Sequence, residues 1–256
     1  MAYFTGTIYS ETLRMDTNIA VIAPKKAIPF GREYNGKPYK VVYLLHGLSA
    51  NSADWLINTE AQINATKYNV VFITAEVQRS FYTDMKYGLK YFTYISEELP
   101  KLCASLFNIS AKREDTYIIG MSMGGYGALK CAMRHPETYC GVAAFSAVCD
   151  IKDNVGGNPL VDDAEFQAVF GLNYENLEQE DLFRIAKQLA GQPVQPKILH
   201  LCGTEDVLYD MNVRFRDYMQ TLDLDYEYRE WSGVHDWSFW QPAVKMALDY
   251  LIGMEE

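Results

Sequence analysis

The stretch Tyr117-Ile118-Ile119-Gly120-Met121-Ser122-Met123-Gly124-Gly125-Tyr126-Gly127-Ala128-Leu129 restricts what this chain can fold into more than any other. An apolar strand runs into a serine with a glycine two residues to either side, and the chain leaves it as a helix. So abrupt a turn leaves no room for a Cβ at positions 120 and 124, and it lifts the serine hydroxyl clear of the backbone. Ser122 therefore reads as a nucleophile.

The rest of the chain supplies a scaffold that suits such a turn. Residues 40–45, 69–75, 115–121, 141–148 and 197–202 are apolar runs of the kind shown by strands covered on both faces, and 226–231 reads as the last strand. Helical patterns fall between them: 52–65 with Ser52 as cap, 89–107 broken or kinked at Pro100, 123–134, 208–222 and 237–252. Residues 5–13 and 17–23 predict an edge hairpin turning across Met15-Asp16, followed by a polar loop over 24–37. Residues 150–196 contain no strand candidate, only short helical patterns at 163–170 and 180–189, and read as a lid-like insertion over the site. Alternating strands and helices predict one α/β domain over 1–256, with a mostly parallel central sheet, helices on both faces and this helical insertion before the penultimate strand. Reactive groups then collect at the carboxyl ends of the strands.

Acyl chemistry needs a base, a group to orient it and donors for an oxyanion. Of four histidines, His135 falls at a helix end, His200 inside a strand and His46 in a strand-end turn. His235 lies in the loop between the last strand and last helix, where an imidazole can reach the nucleophile. The orienting carboxylate should follow the preceding strand, where Glu205, Asp206 and Asp210 compete. Asp206 is preferred because Gly203 and Thr204 turn the chain there, while Asp210 falls within the next helix and Glu205 reads as solvated. Oxyanion donors are expected from the backbone N–H groups of Met123, after the nucleophile, and Leu48, after the third strand. The order Ser122, Asp206, His235 is that of an α/β-hydrolase fold. Trp55, Phe81, Tyr82, Trp237 and Trp240 are candidates for the pocket walls. Glu97 and Glu98 point about 100° apart on a helix and read as a solvated face rather than a catalytic pair.

Charge and composition narrow the partners. A net charge of −10 repels phosphate backbones and anionic membrane surfaces, which leaves small molecules or oligosaccharides. Residues 150–190 carry nine acidic side chains against three basic ones, a field expected to disfavour anionic substrates. Cys103, Cys131, Cys140, Cys149 and Cys202 are odd in number and sit in apolar surroundings, so they read as reduced, mostly buried thiols. No Cys-x-x-Cys or His-Glu-x-x-His spacing occurs, and neither a metal nor a cofactor is expected. No secretory pattern or spanning run is evident, so a cytoplasmic protein is expected, with homo-oligomers open.

These segments together resemble the esterase D family of serine hydrolases. The resemblance rests on His46-Gly47-Leu48, Ser80-Phe81-Tyr82-Thr83-Asp84, the turn at Ser122, Gly203-Thr204-Glu205-Asp206 and Gly233-Val234-His235-Asp236-Trp237, and it runs along almost the whole chain. Within that family the chain looks most like bacterial tributyrin-type esterases, relatives of carbohydrate esterases that remove acetyl or feruloyl groups. The resemblance implies Ser122, Asp206 and His235 as the triad of a carboxylesterase acting on short-chain or small aromatic acyl esters. S-formylglutathione hydrolases of the family typically carry a histidine before the nucleophile, another in the helix after it, and a cysteine after the His-Gly turn. Here those places hold Met121, Tyr126 and the cysteine-free segment 49–54. Mycolyltransferases share the fold but are secreted. Thioester hydrolysis, acyl transfer and non-catalytic binding stand as the alternatives.

Overall fold

The computed structural model describes residues 2–24, 37–157 and 159–253. Apart from its two end residues, the loop expected over 24–37 lies outside them. Strands β1 (Ala2–Ser10), β2 (Met15–Ala23), β3 (Lys40–Leu45), β4 (Val70–Ala75), β5 (Thr116–Met121), β6 (Gly141–Phe145), β7 (Lys197–Gly203) and β8 (Tyr226–Trp231) form one sheet in the order β1-β2-β4-β3-β5-β6-β7-β8. The first two pairings, β1 with β2 and β2 with β4, are antiparallel, and all the others are parallel. This is the α/β-hydrolase arrangement, with β5 and its serine turn near the centre.

Period-2 alternation divides the buried strand residues between two faces. Val41, Tyr43, Ile73, Ile118, Val142 and Ile198 meet helices α4 (Leu99–Leu106), α5 (Met123–Arg134) and α8 (Tyr209–Met219) on one face. Val42, Leu44, Phe72, Ile119, Phe145 and Leu201 meet α1 (Asp54–Asn58), α2 (Ala61–Lys67) and α9 (Trp237–Leu251) on the other. Between β6 and β7 the chain forms α6 (Asp163–Phe170) and α7 (Leu182–Leu189), with no strand among the described residues. Among the described residues no helix is long and apolar enough to cross a membrane.

Several local expectations are corrected. The first hairpin turns through residues 11–14, with Arg14 at φ 57°, rather than across Met15-Asp16, because Met15 is already paired with Ser10. The carboxylate of Glu98 holds this turn, accepting hydrogen bonds from the Ser10 hydroxyl at 2.6 Å and the Glu11 N–H at 2.7 Å, so only Glu97 of that pair is solvated. Ser52 caps nothing: α1 starts at Asp54, and the Ser52 carbonyl instead accepts the Thr74 hydroxyl. Nor does Pro100 interrupt its segment. A π-helical turn over Tyr94–Glu98 joins the short α3 (Tyr91–Thr93) to α4, placing the proline in the first turn of α4, where a missing N–H costs little. All five cysteines are free; Cys140 is half-buried and the others are buried.

Candidate active site

At the end of β5, Ser122 adopts φ 57° and ψ −122°, a conformation that L residues rarely take. The two flanking glycines make it possible. A Cβ on Gly120 would lie 1.9 Å from the Gly124 carbonyl oxygen, and one on Gly124 would lie 2.2 Å from that of Leu45. The neighbouring strand pins the turn: the Ser122 N–H donates to the Phe145 carbonyl at 2.9 Å. Met123 opens α5, where a first-turn N–H has no partner within the helix.

Two further loops bring in the imidazole and the carboxylate. His235 Nε2 lies 3.0 Å from Ser122 Oγ, and His235 Nδ1 lies 2.9 and 3.0 Å from the two oxygens of Asp206. The Asp206 carboxylate is fully enclosed and also accepts the Leu208 N–H at 2.8 Å, whereas Asp210 is exposed on α8. The two loops are tied to each other. Gly233 donates its N–H to Glu205 Oε2 at 2.6 Å, and the Glu205 N–H donates to the Gly233 carbonyl at 3.1 Å. A Cβ on Gly203 would lie 2.2 Å from that same carbonyl oxygen, and one on Gly233 would lie 2.6 Å from the Phe239 ring, so each loop needs its glycine. Glu205 is exposed, as expected, and its carboxylate also ties the two loops together, a contact that sequence reasoning missed. The imidazole packs edge-on against Trp240 at 5.0 Å, and the Trp240 indole N–H donates to Ser146 Oγ at 3.0 Å.

His46 proves more than a turn residue. Its Nε2 lies 3.2 Å from the Val77 nitrogen and 3.3 Å from Glu76 Oε1, and its Nδ1 lies 2.8 Å from the Gly47 carbonyl oxygen. The Tyr82 hydroxyl donates to the His46 carbonyl at 2.9 Å. Because the Gly47-Leu48 peptide is trans, holding its carbonyl toward the ring directs the Leu48 N–H the opposite way. The signal for this role lay in the buried Ser80-Phe81-Tyr82 segment, whose reach across to residue 46 is a long-range contact. His200 is buried and hydrogen-bonded to Tyr226 and Asn212, and burial pushes its pKa down to about 4.

A cavity of ≈ 290 Å³ opens at Ser122 and His235. Leu48, Met123, Phe81, Trp237 and Trp240 line it. Trp55 and Tyr82 do not. Trp55 is buried behind Trp237 at 5.3 Å, and Tyr82 is enclosed where its hydroxyl reaches His46 and its ring covers Gly127. Arg79 from the loop after β4, Leu160 and Val161 from the insertion, and Leu208 and Met211 from α8 and its approach also line the cavity.

The acidic excess of the insertion does not act as an open field. Glu165 pairs with Arg79, Glu175 with Lys86, Glu180 with Lys130 and Arg134, and Asp150 and Asp153 with Arg214, all cations from outside the insertion. The expected repulsion of anionic substrates is corrected accordingly, since these neighbours neutralise most of the charge counted from the sequence.

Residues 10–251 match the model of the Esterase family. An acetyl esterase of Caldicellulosiruptor saccharolyticus is 30% identical over 261 residues, covering 98% of each chain. Two solved structures from Staphylococcus aureus, each 30% identical and covering 98% of both chains, superpose closely. They are the substrate-bound fluorophosphonate-binding serine hydrolase F, at TM-score 0.88, and the apoenzyme of an S-formylglutathione hydrolase, at TM-score 0.86.

Proposed function

The chain belongs to the Esterase family and is a carboxylic ester hydrolase, and from that premise we propose that it cleaves short-chain or small aromatic acyl esters through Ser122, His235 and Asp206. The observation that carries this reading is the continuous hydrogen-bonded chain from the enclosed Asp206 carboxylate through His235 to Ser122 Oγ, at the mouth of a largely apolar cavity. Asp206 accepts the Nδ1 proton, which leaves the Nε2 lone pair facing the serine. As Ser122 Oγ attacks the ester carbonyl, Nε2 takes its proton, and Asp206 stabilises the imidazolium that results. The negative charge that develops on the carbonyl oxygen is received by the Met123 and Leu48 N–H groups. Collapse expels the alcohol with the proton from Nε2. Water then repeats the sequence on the acyl-serine, with His235 again as base.

The cavity suits a small acyl group, and the 30% identical acetyl esterase supports that size class. A second reading, thioester hydrolysis, is favoured by the S-formylglutathione hydrolase at the same identity and uses the same acyl-serine. The test is a panel of p-nitrophenyl acyl esters beside methyl ferulate and S-formylglutathione. The highest kcat/KM is expected on acetate to butyrate esters, and a preference for the thioester would replace the first reading with the second. Ser122→Ala should fold normally and lose about 10⁴- to 10⁶-fold in turnover, and a fluorophosphonate should label Ser122 alone. Retained turnover in that variant would remove Ser122 from the mechanism.

A further inference from the structure

One wall of the cavity is held by a side chain from a different part of the fold. Leu160 and Val161, just before α6, line the cavity beside the loop after β4. Val161 is anchored by its own burial at 2% exposure, whereas Leu160 is 71% exposed. Its backbone is fixed instead. Arg79 Nη2 donates to the Leu160 carbonyl at 2.6 Å, and the same guanidinium grips Glu165 in the first turn of α6, with Nη2 at 2.9 Å from Oε2 and Nε on Oε1. Glu165 is a firm mooring because α6 is docked on the same loop by aromatic packing. The Phe81 ring lies 5.7 Å from that of Phe166 and 6.0 Å from that of Phe170. A planar fork that binds a carboxylate with two nitrogens and a carbonyl with one of them holds both groups in one geometry, which a lysine ammonium cannot reproduce. With its charge met by Glu165, Arg79 acts as a tie and not as a receptor for an anionic substrate.

Building on the esterase reading above, we propose that Arg79 is a specificity-determining residue: by tying Leu160 into the cavity wall, it sets the longest acyl group that the site accepts. The cavity-lining side chains beside Leu160 are apolar, as an acyl chain requires: Val161 follows it in sequence, and Phe81 packs on the helix that carries Glu165. Discrimination between chain lengths in an apolar pocket runs at roughly tenfold or more per methylene when the wall is rigid. Releasing the wall relaxes that discrimination.

The experiment measures kcat/KM for p-nitrophenyl acetate, butyrate, hexanoate and octanoate. In Arg79→Ala the octanoate-to-acetate ratio should rise about tenfold. Glu165→Gln, outside the cavity, should raise it several-fold with acetate turnover unchanged. Leu160→Ala should raise the ratio as well, and adding Arg79→Ala to it should produce no further rise, because Arg79 acts through Leu160. Arg79→Lys should resemble Arg79→Ala rather than the parent. An unchanged ratio in Arg79→Ala, or full additivity with Leu160→Ala, would overturn the proposal. So would a change confined to a series of acetate esters with longer alcohols. A parent protein that hydrolyses none of these esters and takes up no fluorophosphonate would bring down the esterase reading itself. An unmoved ratio with normal acetate turnover defeats the tie alone.

Discussion

Three carboxylates lie within five residues of one another after β7, and their surroundings separate them. Asp206 is enclosed and shared between His235 and the Leu208 N–H, Glu205 is bound to Gly233, and Asp210 faces solvent. Asp206→Asn presents an amide N–H or a weaker acceptor to Nδ1 and releases the wrong imidazole tautomer. Its kcat on p-nitrophenyl acetate should fall by about 10⁴, while that of Asp210→Asn stays near the parent value. If the two variants behave the other way round, the carboxylate is misassigned. His200 makes a pH prediction of a different kind. In the unfolded chain it takes up a proton near 6.5, but its burial delays protonation of the folded protein to about 4. Between those values the unfolded state binds more protons, so stability declines as pH falls from about 6.5 to 4, by about 3 kcal/mol from this group, and levels off below. Urea midpoints should show a shallower decline over that window in His200→Gln than in the parent. Equal slopes would refute it. At this scale the sequence was legible wherever a backbone constraint speaks through glycine, as at Gly120, Gly124, Gly203 and Gly233. It was mute where an aromatic ring's place depends on distant packing, so Trp55 and Tyr82 could not be told from Phe81 and Trp237.

Helix α5 carries the Ser122 turn at one end and an enclosed cation along its length. Lys130 is fully buried and donates to Thr83 Oγ1 at 2.8 Å and Glu180 Oε2 at 2.9 Å, joining α5 to the loop after β4 and to the insertion. Burial pushes the Glu180 carboxyl upward, and the Lys130 and Arg134 cations more than offset that, leaving it below its usual range. Removing one partner strands the other. Glu180→Gln should lower unfolding free energy by about 3 to 5 kcal/mol, whereas the double replacement Lys130→Met with Glu180→Gln should recover part of the loss. Chemical denaturation of the three proteins measures this, and a single variant as stable as the parent would contradict it. Element positions were readable because helix and strand periods differ: β3, α5, α6 and β8 fall on the residues expected from the pattern. The π-helical turn before Pro100 and the Lys130 tie were not readable. A lysine in a helix reads as solvated until the partner that encloses it, fifty residues away, is in place.

Across the whole molecule, the formal charge of −10 gives a poor picture of the surface near the site, because the insertion's carboxylates are met by cations from three other segments. Sequence counts charges, and only the fold pairs them. The sheet topology carries a further consequence. Ser122 follows β5, held between β3 and β6, while His235 follows β8, which closes the sheet at its rim and is only half-buried along its length. Edge elements open locally at lower free energy than central ones. Turnover should therefore vanish at urea concentrations below those that abolish far-UV ellipticity, and superimposable curves would refute this. Such an enzyme ages from its margin inward: kept warm, it would stop working while every bulk probe still reported a folded protein. Reinforcing β8 would then lengthen its service life with little change in melting temperature.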